Sequence, residues 1–150
     1  MARNSVAYDE DFFAWTQEQS RLLRAGDLSL IDAENVAEEL ESMGRNNRRE
    51  LGSRLTLILH RMLKWQFQAA RRSRSWIVTV NTQRDEIAKI IADSPSLRPV
   101  VREILPAAYA SARRDSAVET RSPVSRFPAE CPFTVDDVLT GEFPPEGQAP

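Results

Sequence analysis

The residues best suited to chemistry are a run of basic side chains with aromatic rings between them. The basic members are Arg61, Lys64, Arg71, Arg72 and Arg74, and the rings are Trp65, Phe67 and Trp76. Positive charge can neutralise phosphates and flat rings can stack on bases, so this combination is typical of single-stranded nucleic-acid binding. The sequence therefore names these five basic residues as a candidate binding surface.

Two other interpretations of this cluster stay open. The arginines could pair inside the fold with the acidic residues Glu34, Glu38, Glu39 and Glu41, with Trp65 and Trp76 filling the core. The basic surface could instead bind a protein partner. The net charge of −2 favours internal pairing over nucleic acid, because nucleic-acid-binding domains are usually strongly basic.

A second candidate is the pair Arg54 and His60, which contains the only histidine of the chain. Some helical-bundle ribonucleases carry an arginine and a histidine four to six residues apart. There the histidine exchanges a proton and the arginine stabilises phosphate charge. On a regular helix six residues turn through about 600°, so the two side chains share a face only with a kink or in a dimer. The alternative is an ordinary packed helix histidine.

Metal and covalent chemistry have little support in the sequence. Glu34, Glu38 and Glu41 fall on one helical face, but carboxylate metal sites in helical bundles use a Glu-x-x-His pair, and Leu57 stands three residues before His60. Cys131 is the only cysteine, which excludes an internal disulfide. No phosphate-binding loop, dinucleotide loop, catalytic triad or zinc pattern occurs. We therefore predict no metal and no cofactor, and we lean against an enzyme.

Length and composition indicate one ordinary globular domain. The chain has 150 residues, 41% apolar and 28% charged, which fits a single domain over residues 1–150. Residues 1–7 and 147–150 are expected to be loose ends. No apolar run approaches the ~20 residues of a membrane span, and no signal peptide follows Met1. We expect a cytoplasmic protein that does not enter a membrane.

Charge is strongly segregated along the chain. Residues 1–44 carry ten acids and three bases, for a net charge of −7. Residues 45–84 carry ten bases and one acid, for a net charge of +9, and residues 85–150 carry a net charge of −4. This basic block, residues 45–84, either binds an anionic partner or is neutralised by the acidic segments.

Apolar periodicity predicts four main helices. The first runs from about Asp9 to Ala25, and Gly26 suits its C-terminal end. The third is capped by Ser73 or Ser75 and ends near Asp93; the fourth begins after Pro95 and should kink near Arg102 because of Pro106.

The second predicted helix is the longest. It begins at Asp32, a suitable N-cap, and its apolar stripe comprises Val36, Leu40, Met43, Leu51, Leu55, Ile58 and Met62. The stripe keeps its phase across Gly44, which favours one bent helix from about Asp32 to Phe67 over two helices that meet at Gly44. A helix of about 36 residues is about 54 Å long and would extend beyond one small bundle, which makes self-association plausible.

The segment after about Thr120 contains six prolines and cannot form a long helix. Thr134-Val-Asp-Asp137 resembles a capping box, so we predict a short helix from Val135 to Thr140. The apolar side chains of this segment should dock it on the bundle; they are Phe127, Phe133, Val138, Leu139 and Phe143.

Several motifs together are similar to those of one bacterial family. They are Asp32-Ala-Glu-Asn-Val-Ala-Glu-Glu-Leu-Glu-Ser-Met-Gly-Arg45, Leu63-Lys-Trp-Gln-Phe67 with Arg71-Arg-Ser-Arg-Ser-Trp76, Cys131-Pro-Phe-Thr134, and the opening segment 8–19. Across residues 8–143 the chain resembles the family called Domain of Unknown Function 29. The resemblance implies an all-helical fold and a bacterial origin, and it implies no reaction. Pro106 is a departure, since an ordinary helix former is expected there.

The sequence as a whole predicts an all-α helical bundle of about four main helices, one of them long, with a docked C-terminal tail. The favoured function is a non-enzymatic interaction protein that works through protein–protein contacts as a homo-oligomer or with another partner. The alternative is RNA binding or cleavage through the basic block.

Overall fold

The computed structural model describes residues 7–150, and these residues form an all-α fold without a strand. The helices are α1 (Phe12–Ala25), α2 (Ala33–Phe67), α3 (Arg74–Asp93), α4 (Arg98–Thr120) and α5 (Val135–Leu139), with short 3₁₀ turns between them. The prediction of four main helices and a short C-terminal helix is confirmed. Most of the predicted loose N-terminus, residues 1–6, lies outside the described residues.

Helix α2 is a single uninterrupted helix from Ala33 to Phe67. Of the two alternatives that the apolar pattern left open, the single helix is therefore the one observed. The chain divides into two compact units within α2, one ending at Asn46 and one beginning at Asn47. We call them the hairpin unit (residues 7–46) and the bundle unit (residues 47–150).

In the hairpin unit, polar side chains fix both ends of α1. The Asp11 carboxylate accepts a hydrogen bond from the Ala14 amide and caps α1, so the helix begins three residues after the predicted Asp9. Gly26 ends α1 with φ 76°, a left-handed conformation that suits glycine. Trp15 and Gln19 of α1 both contact Asp32, the residue before α2. The Trp15 indole donates a hydrogen bond to the Asp32 carboxylate. The backbone amide of Asp32 donates a hydrogen bond to the Gln19 side chain.

The apolar stripe of α2 is buried in only one of the two units. In the hairpin unit Leu40 is 64% exposed and Met43 is 63% exposed. In the bundle unit Leu51, Leu55 and Ile58 have no exposed surface. Periodicity shows that a helix face is apolar, but it does not show that other side chains cover it.

The core of the bundle unit is built from α2, α3, α4 and the C-terminal tail. Fully buried members from each are Leu55 and Leu63 of α2, Val80 of α3, Val101 and Ala112 of α4, and Val138 of α5. Helix α4 continues through Pro106 to Thr120. The main force that holds these elements together is the burial of apolar surface, which contributes about 25 cal/mol for each Å².

Two kinds of contact hold the tail on this core. Apolar side chains of the tail pack against the core, and polar side chains of α3 and α4 donate hydrogen bonds to carbonyl groups of the tail. Phe127 is 1% exposed and packs edge-on against Phe67. The predicted capping box is present, because Thr134 and Asp137 exchange hydrogen bonds. The Arg84 guanidinium donates to the carbonyl groups of Asp137 and Val138, which satisfies the C-terminal end of α5.

Candidate functional site

The structure does not bring Arg54 and His60 together, although both lie on α2. The Arg54 guanidinium donates to Glu50 on its own helix and to Gln83 on α3. His60 instead lies against Glu119 of α4. Within one chain, the two side chains therefore face different helices and do not converge on one reacting group.

His60 belongs to a polar cluster between α2 and α4 that we call the Glu119 cluster. Lys64 Nζ donates to Glu119 Oε1 at 2.6 Å. His60 Nε2 lies 2.8 Å from Glu119 Oε2, but at an angle that does not make a hydrogen bond. Lys64 is only 5% exposed, and its ammonium group also lies 4.4 Å from the centre of the Trp76 ring. This carboxylate thus neutralises a buried lysine, which would otherwise cost several kcal/mol.

Burial decides the electrostatics of this cluster. Desolvation lowers the pKa of His60 below its usual 6.5, and the nearby Glu119 carboxylate opposes that effect without cancelling it. Burial also raises the pKa of Glu119, but the hydrogen bond and charge of Lys64 outweigh it, so this pKa is lowered overall. The cluster is therefore the Lys64–Glu119 ion pair beside a histidine whose neutral form is favoured by burial.

Two further polar atoms of the bundle unit are buried without a partner among the described residues. They are Ser116 Oγ on α4 and Arg61 Nε on α2. Ser116 has no exposed surface, so its hydroxyl cannot reach a substrate. We regard the Glu119 cluster as an interhelical contact, because its charged groups face one another rather than an open cleft.

Three of the five residues of the predicted binding surface, Arg71, Arg72 and Arg74, lie between the end of α2 and the first residue of α3; we call residues 68–74 the basic connector. The other two, Arg61 and Lys64, lie on α2, and Lys64 is buried and does not belong to an open surface.

Arg71 and Arg74 are exposed, and neither makes an ion pair within residues 7–150. Glu38 and Glu41 pair with Arg45 on their own helix. The internal pairing that the sequence left open is therefore not observed for Arg71 and Arg74.

Arg72 is oriented differently from its neighbours. Its Nε donates to the Trp65 carbonyl at 2.9 Å, and its guanidinium carbon lies 5.1 Å from the centre of the Trp65 ring. This geometry combines a hydrogen bond with a cation–π contact. The two terminal nitrogens of Arg72 make no hydrogen bond to a described residue.

Arg72 lines a cavity of about 390 Å³ between the end of α2 and the tail. The apolar wall is formed by Met62, Trp65, Phe133, Phe143 and Pro145, and the polar wall by Gln66, Arg72, Asp137, Glu142 and Gln148. The Trp65 indole donates to Gln148 Oε1 at 2.8 Å and packs edge-on against Phe143. We call this the Trp65 cavity.

The hairpin unit exposes most of the large apolar side chains found at the surface. Within residues 7–150 eleven such side chains are exposed, and seven belong to this unit: Phe12, Phe13, Leu23, Leu28, Leu30, Leu40 and Met43. We call these seven the hairpin apolar set. Leu40 and Met43 lie one turn apart on α2, and Phe12 and Leu23 share one side of α1 because they are eleven residues apart.

Sequence reasoning missed three of these features. Glu119 is 55 residues from Lys64, and nothing in the local pattern connects the two. The Trp65 cavity is formed by the tail, whose path the sequence does not give. The apolar pattern does not show that Leu40 and Met43 are exposed.

Among the helices of residues 7–150, none combines the length and apolar character needed to cross a membrane. No group of three or more His, Cys, Asp or Glu side chains is arranged to hold a metal ion within residues 7–150.

Comparison with known protein families matches residues 7–144 to the family described as "Domain of unknown function DUF29". The chain belongs to this family. The match covers the hairpin unit from its first described residue and nearly all of the bundle unit. No curated protein and no solved structure matches the chain. Membership in DUF29 brings no reaction with it, so the function must be argued from the surfaces described above.

Proposed function

We propose that this DUF29 protein is a non-enzymatic interaction protein, and that its hairpin unit docks on a second copy of the chain. The observation that carries the proposal is the hairpin apolar set. Scattered apolar side chains are normal on a surface, but seven large ones within 32 residues mark a contact region. Phe13 is 73% exposed and Leu40 is 64% exposed, so burying them gives a substantial hydrophobic driving force.

Charge complementarity favours a second copy as the occupant. Residues 1–44 have a net charge of −7 and residues 45–84 a net charge of +9, so each chain carries both halves of a complementary pair. On α3, Val78 is 62% exposed and lies one turn after Arg74. Arg74 and Val78 therefore present a positive charge and an exposed apolar side chain next to each other. The hairpin unit, which is acidic and exposes apolar side chains, is complementary to this surface.

A reciprocal arrangement satisfies both surfaces at once. The hairpin unit of one protomer contacts the partner's Arg71, the partner's Arg74 and the partner's Val78, and the same contact is repeated by symmetry. Such a closed two-fold dimer is the commonest form of soluble homo-oligomer.

Light scattering and sedimentation across a range of protein concentrations test the dimer. Wild-type protein should change from monomer to dimer as concentration rises. The double variant Leu40→Ser/Met43→Ser should remain monomeric, because it removes apolar contact area without touching a buried residue. Val118→Ser is the matched control, since Val118 is 75% exposed on α4 and lies outside the proposed contact.

Mixing two defective variants tests reciprocity. Arg71→Glu/Arg74→Glu should also be monomeric, and mixing it with Leu40→Ser/Met43→Ser should restore a weaker dimer with one intact contact of the two. A wild-type protein that stays monomeric at every concentration overturns the proposal. A dimer that tolerates both double variants places the interface elsewhere and overturns it equally.

RNA binding is the second candidate, because Arg71 and Arg74 are exposed without an ion pair in the described chain. Fluorescence anisotropy of labelled single-stranded RNA at low and high salt tests it. Binding that weakens steeply with salt and is lost in Arg71→Gln/Arg74→Gln would mean phosphate contacts. Absence of binding at low salt would eliminate this candidate.

A further inference from the structure

The Trp65 cavity has features of a small-molecule site that do not depend on the dimer contact. Its volume of about 390 Å³ falls within the range of ligand pockets, which are usually apolar with a few polar groups that fix orientation. Here the apolar wall includes Met62, Phe133 and Phe143, and both signs of charge stand on the polar wall.

The positive group of the cavity is held ready for an anion. Arg72 Nε donates to the Trp65 carbonyl at 2.9 Å, and the guanidinium carbon lies 5.1 Å from the centre of the Trp65 ring. Both terminal nitrogens are left without a described partner. A planar pair of donors matches a carboxylate, which it can bind through two parallel hydrogen bonds.

The negative group of the cavity is Glu142. Asp137 also lines the wall, but its Oδ2 accepts a hydrogen bond from the Thr134 amide in the capping box. Glu142 makes neither a hydrogen bond nor an ion pair with any described residue, so its carboxylate is available to a cation.

Arg72 and Glu142 line the same cavity, yet they are too far apart to form an ion pair within 4.0 Å. Both charges therefore line the cavity without forming an ion pair with each other, beside the apolar side chains. A simple anion would be attracted by Arg72 but repelled by Glu142. A simple cation would be attracted by Glu142 but repelled by Arg72. A ligand that carries both charges close together satisfies both walls.

We propose that the Trp65 cavity binds a free α-amino acid with an apolar side chain. Arg72 binds the carboxylate, Glu142 binds the ammonium group, and the side chain lies against Met62, Phe133 and Phe143. Gln148 also lines the cavity and accepts the hydrogen bond of the Trp65 indole at 2.8 Å, so the Trp65 N–H lies close to the bound ligand.

L-Leucine and two blocked derivatives form the test set. N-acetyl-L-leucine lacks the ammonium charge, and L-leucinamide lacks the carboxylate. Calorimetry should show millimolar or tighter binding of L-leucine and at least about tenfold weaker binding of each derivative, since each loses one charge-assisted contact. The NMR signal of the Trp65 indole N–H should shift at a lower concentration of L-leucine than of either derivative.

Charge-neutralising variants locate the two contacts. Arg72→Gln and Glu142→Gln should each weaken L-leucine binding by about tenfold. Arg114→Gln and Glu146→Gln are the matched controls, because both residues are exposed and neither lines the cavity; they should bind like wild type. Melting temperatures of all four variants confirm that they are folded.

Three results would overturn the proposal. The first is an absence of binding at millimolar L-leucine. The second is equal binding of N-acetyl-L-leucine, which would mean that the cavity is a simple anion site. The third is equal binding of L-leucinamide, which would mean that it is a cation site. Binding that survives Arg72→Gln and Glu142→Gln would place the ligand elsewhere and overturn it as well.

Discussion

Glu119 has a larger role in the fold than its surface position suggests. Its side chain is 47% exposed, but Lys64, the cation that it neutralises, is almost completely buried. Removing one partner of such a pair leaves the other charge in an apolar setting, which costs more than the pair itself contributes.

We therefore expect Glu119→Gln to lower the free energy of unfolding by about 1–3 kcal/mol, a range set below that of a fully buried pair because water reaches Glu119. Urea denaturation at neutral pH measures it. Glu130→Gln is the control, since Glu130 is exposed and no described residue pairs with it; its effect should stay within about 0.5 kcal/mol. Equal effects of the two variants would mean that the Lys64 charge is satisfied by water.

His60 should make the free energy of unfolding depend on pH just below pH 6.5, a range in which the carboxylates do not titrate. Its pKa is lowered by burial, so as pH falls below 6.5 the unfolded chain takes up a proton that the folded chain resists. The free energy of unfolding should therefore decrease from about pH 6.5 downwards, through the folded-state pKa, and should not depend on His60 at higher pH.

His60→Gln isolates this effect, because the chain has no other histidine. The carboxylates with lowered pKa, such as Glu119 and Glu86, lose their contribution only below their usual 4.5. Urea denaturation between pH 4.5 and 6.5 should thus show a slope for wild type and a flatter line for His60→Gln. Parallel slopes would show that His60 titrates alike in both states.

At the scale of single elements, Asp32 connects the two helices of the hairpin unit. Its carboxylate accepts hydrogen bonds from the Trp15 indole and from Asn35, and these bonds lower the pKa of Asp32. The Asp32 side chain therefore accepts the hydrogen bond of a backbone amide in the first turn of α2 and also connects α1 to α2.

Asp32→Ala should weaken the hairpin by about 0.5–2 kcal/mol, the usual cost of losing a helix N-cap. Faster hydrogen exchange of the first amides of α2 would show it, together with a change in Trp15 fluorescence. Asp27→Ala is the matched control, because Asp27 precedes a 3₁₀ turn and makes no capping hydrogen bond. If both variants exchange like wild type, water replaces the Asp32 contacts at no cost.

Much of the element structure could be predicted because it rests on local chemistry. Apolar spacing gave the helices, and short polar side chains marked their starts at Ser73 and Thr134. The start of α1 was placed at Asp9 instead of Phe12, since any of three consecutive acidic residues could cap the helix. What covers a face depends on distant parts of the chain, which is why Leu40 and the Trp65 cavity could not be foreseen.

For the whole molecule, charge segregation gives the proposed dimer a dependence on salt. Electrostatic attraction between exposed groups is screened over about 10 Å at 0.1 M salt and about 3 Å at 1 M. Sedimentation should show the association constant falling as salt rises, with a residual affinity from the hairpin apolar set. An association that strengthens steadily with salt would mean that apolar contact alone drives it.

The segment after α4 should behave unexpectedly towards proteases. It is irregular and rich in proline, yet Tyr109 donates to the Pro128 carbonyl and Arg113 donates to that of Phe127. Trypsin must draw an extended stretch of backbone into its cleft, and these ties resist that. In the basic connector, by contrast, Arg71 is exposed and its side chain makes no hydrogen bond to a described residue. The first cleavage should therefore follow Arg71, and the two fragments should stay associated through the buried core until denaturant separates them.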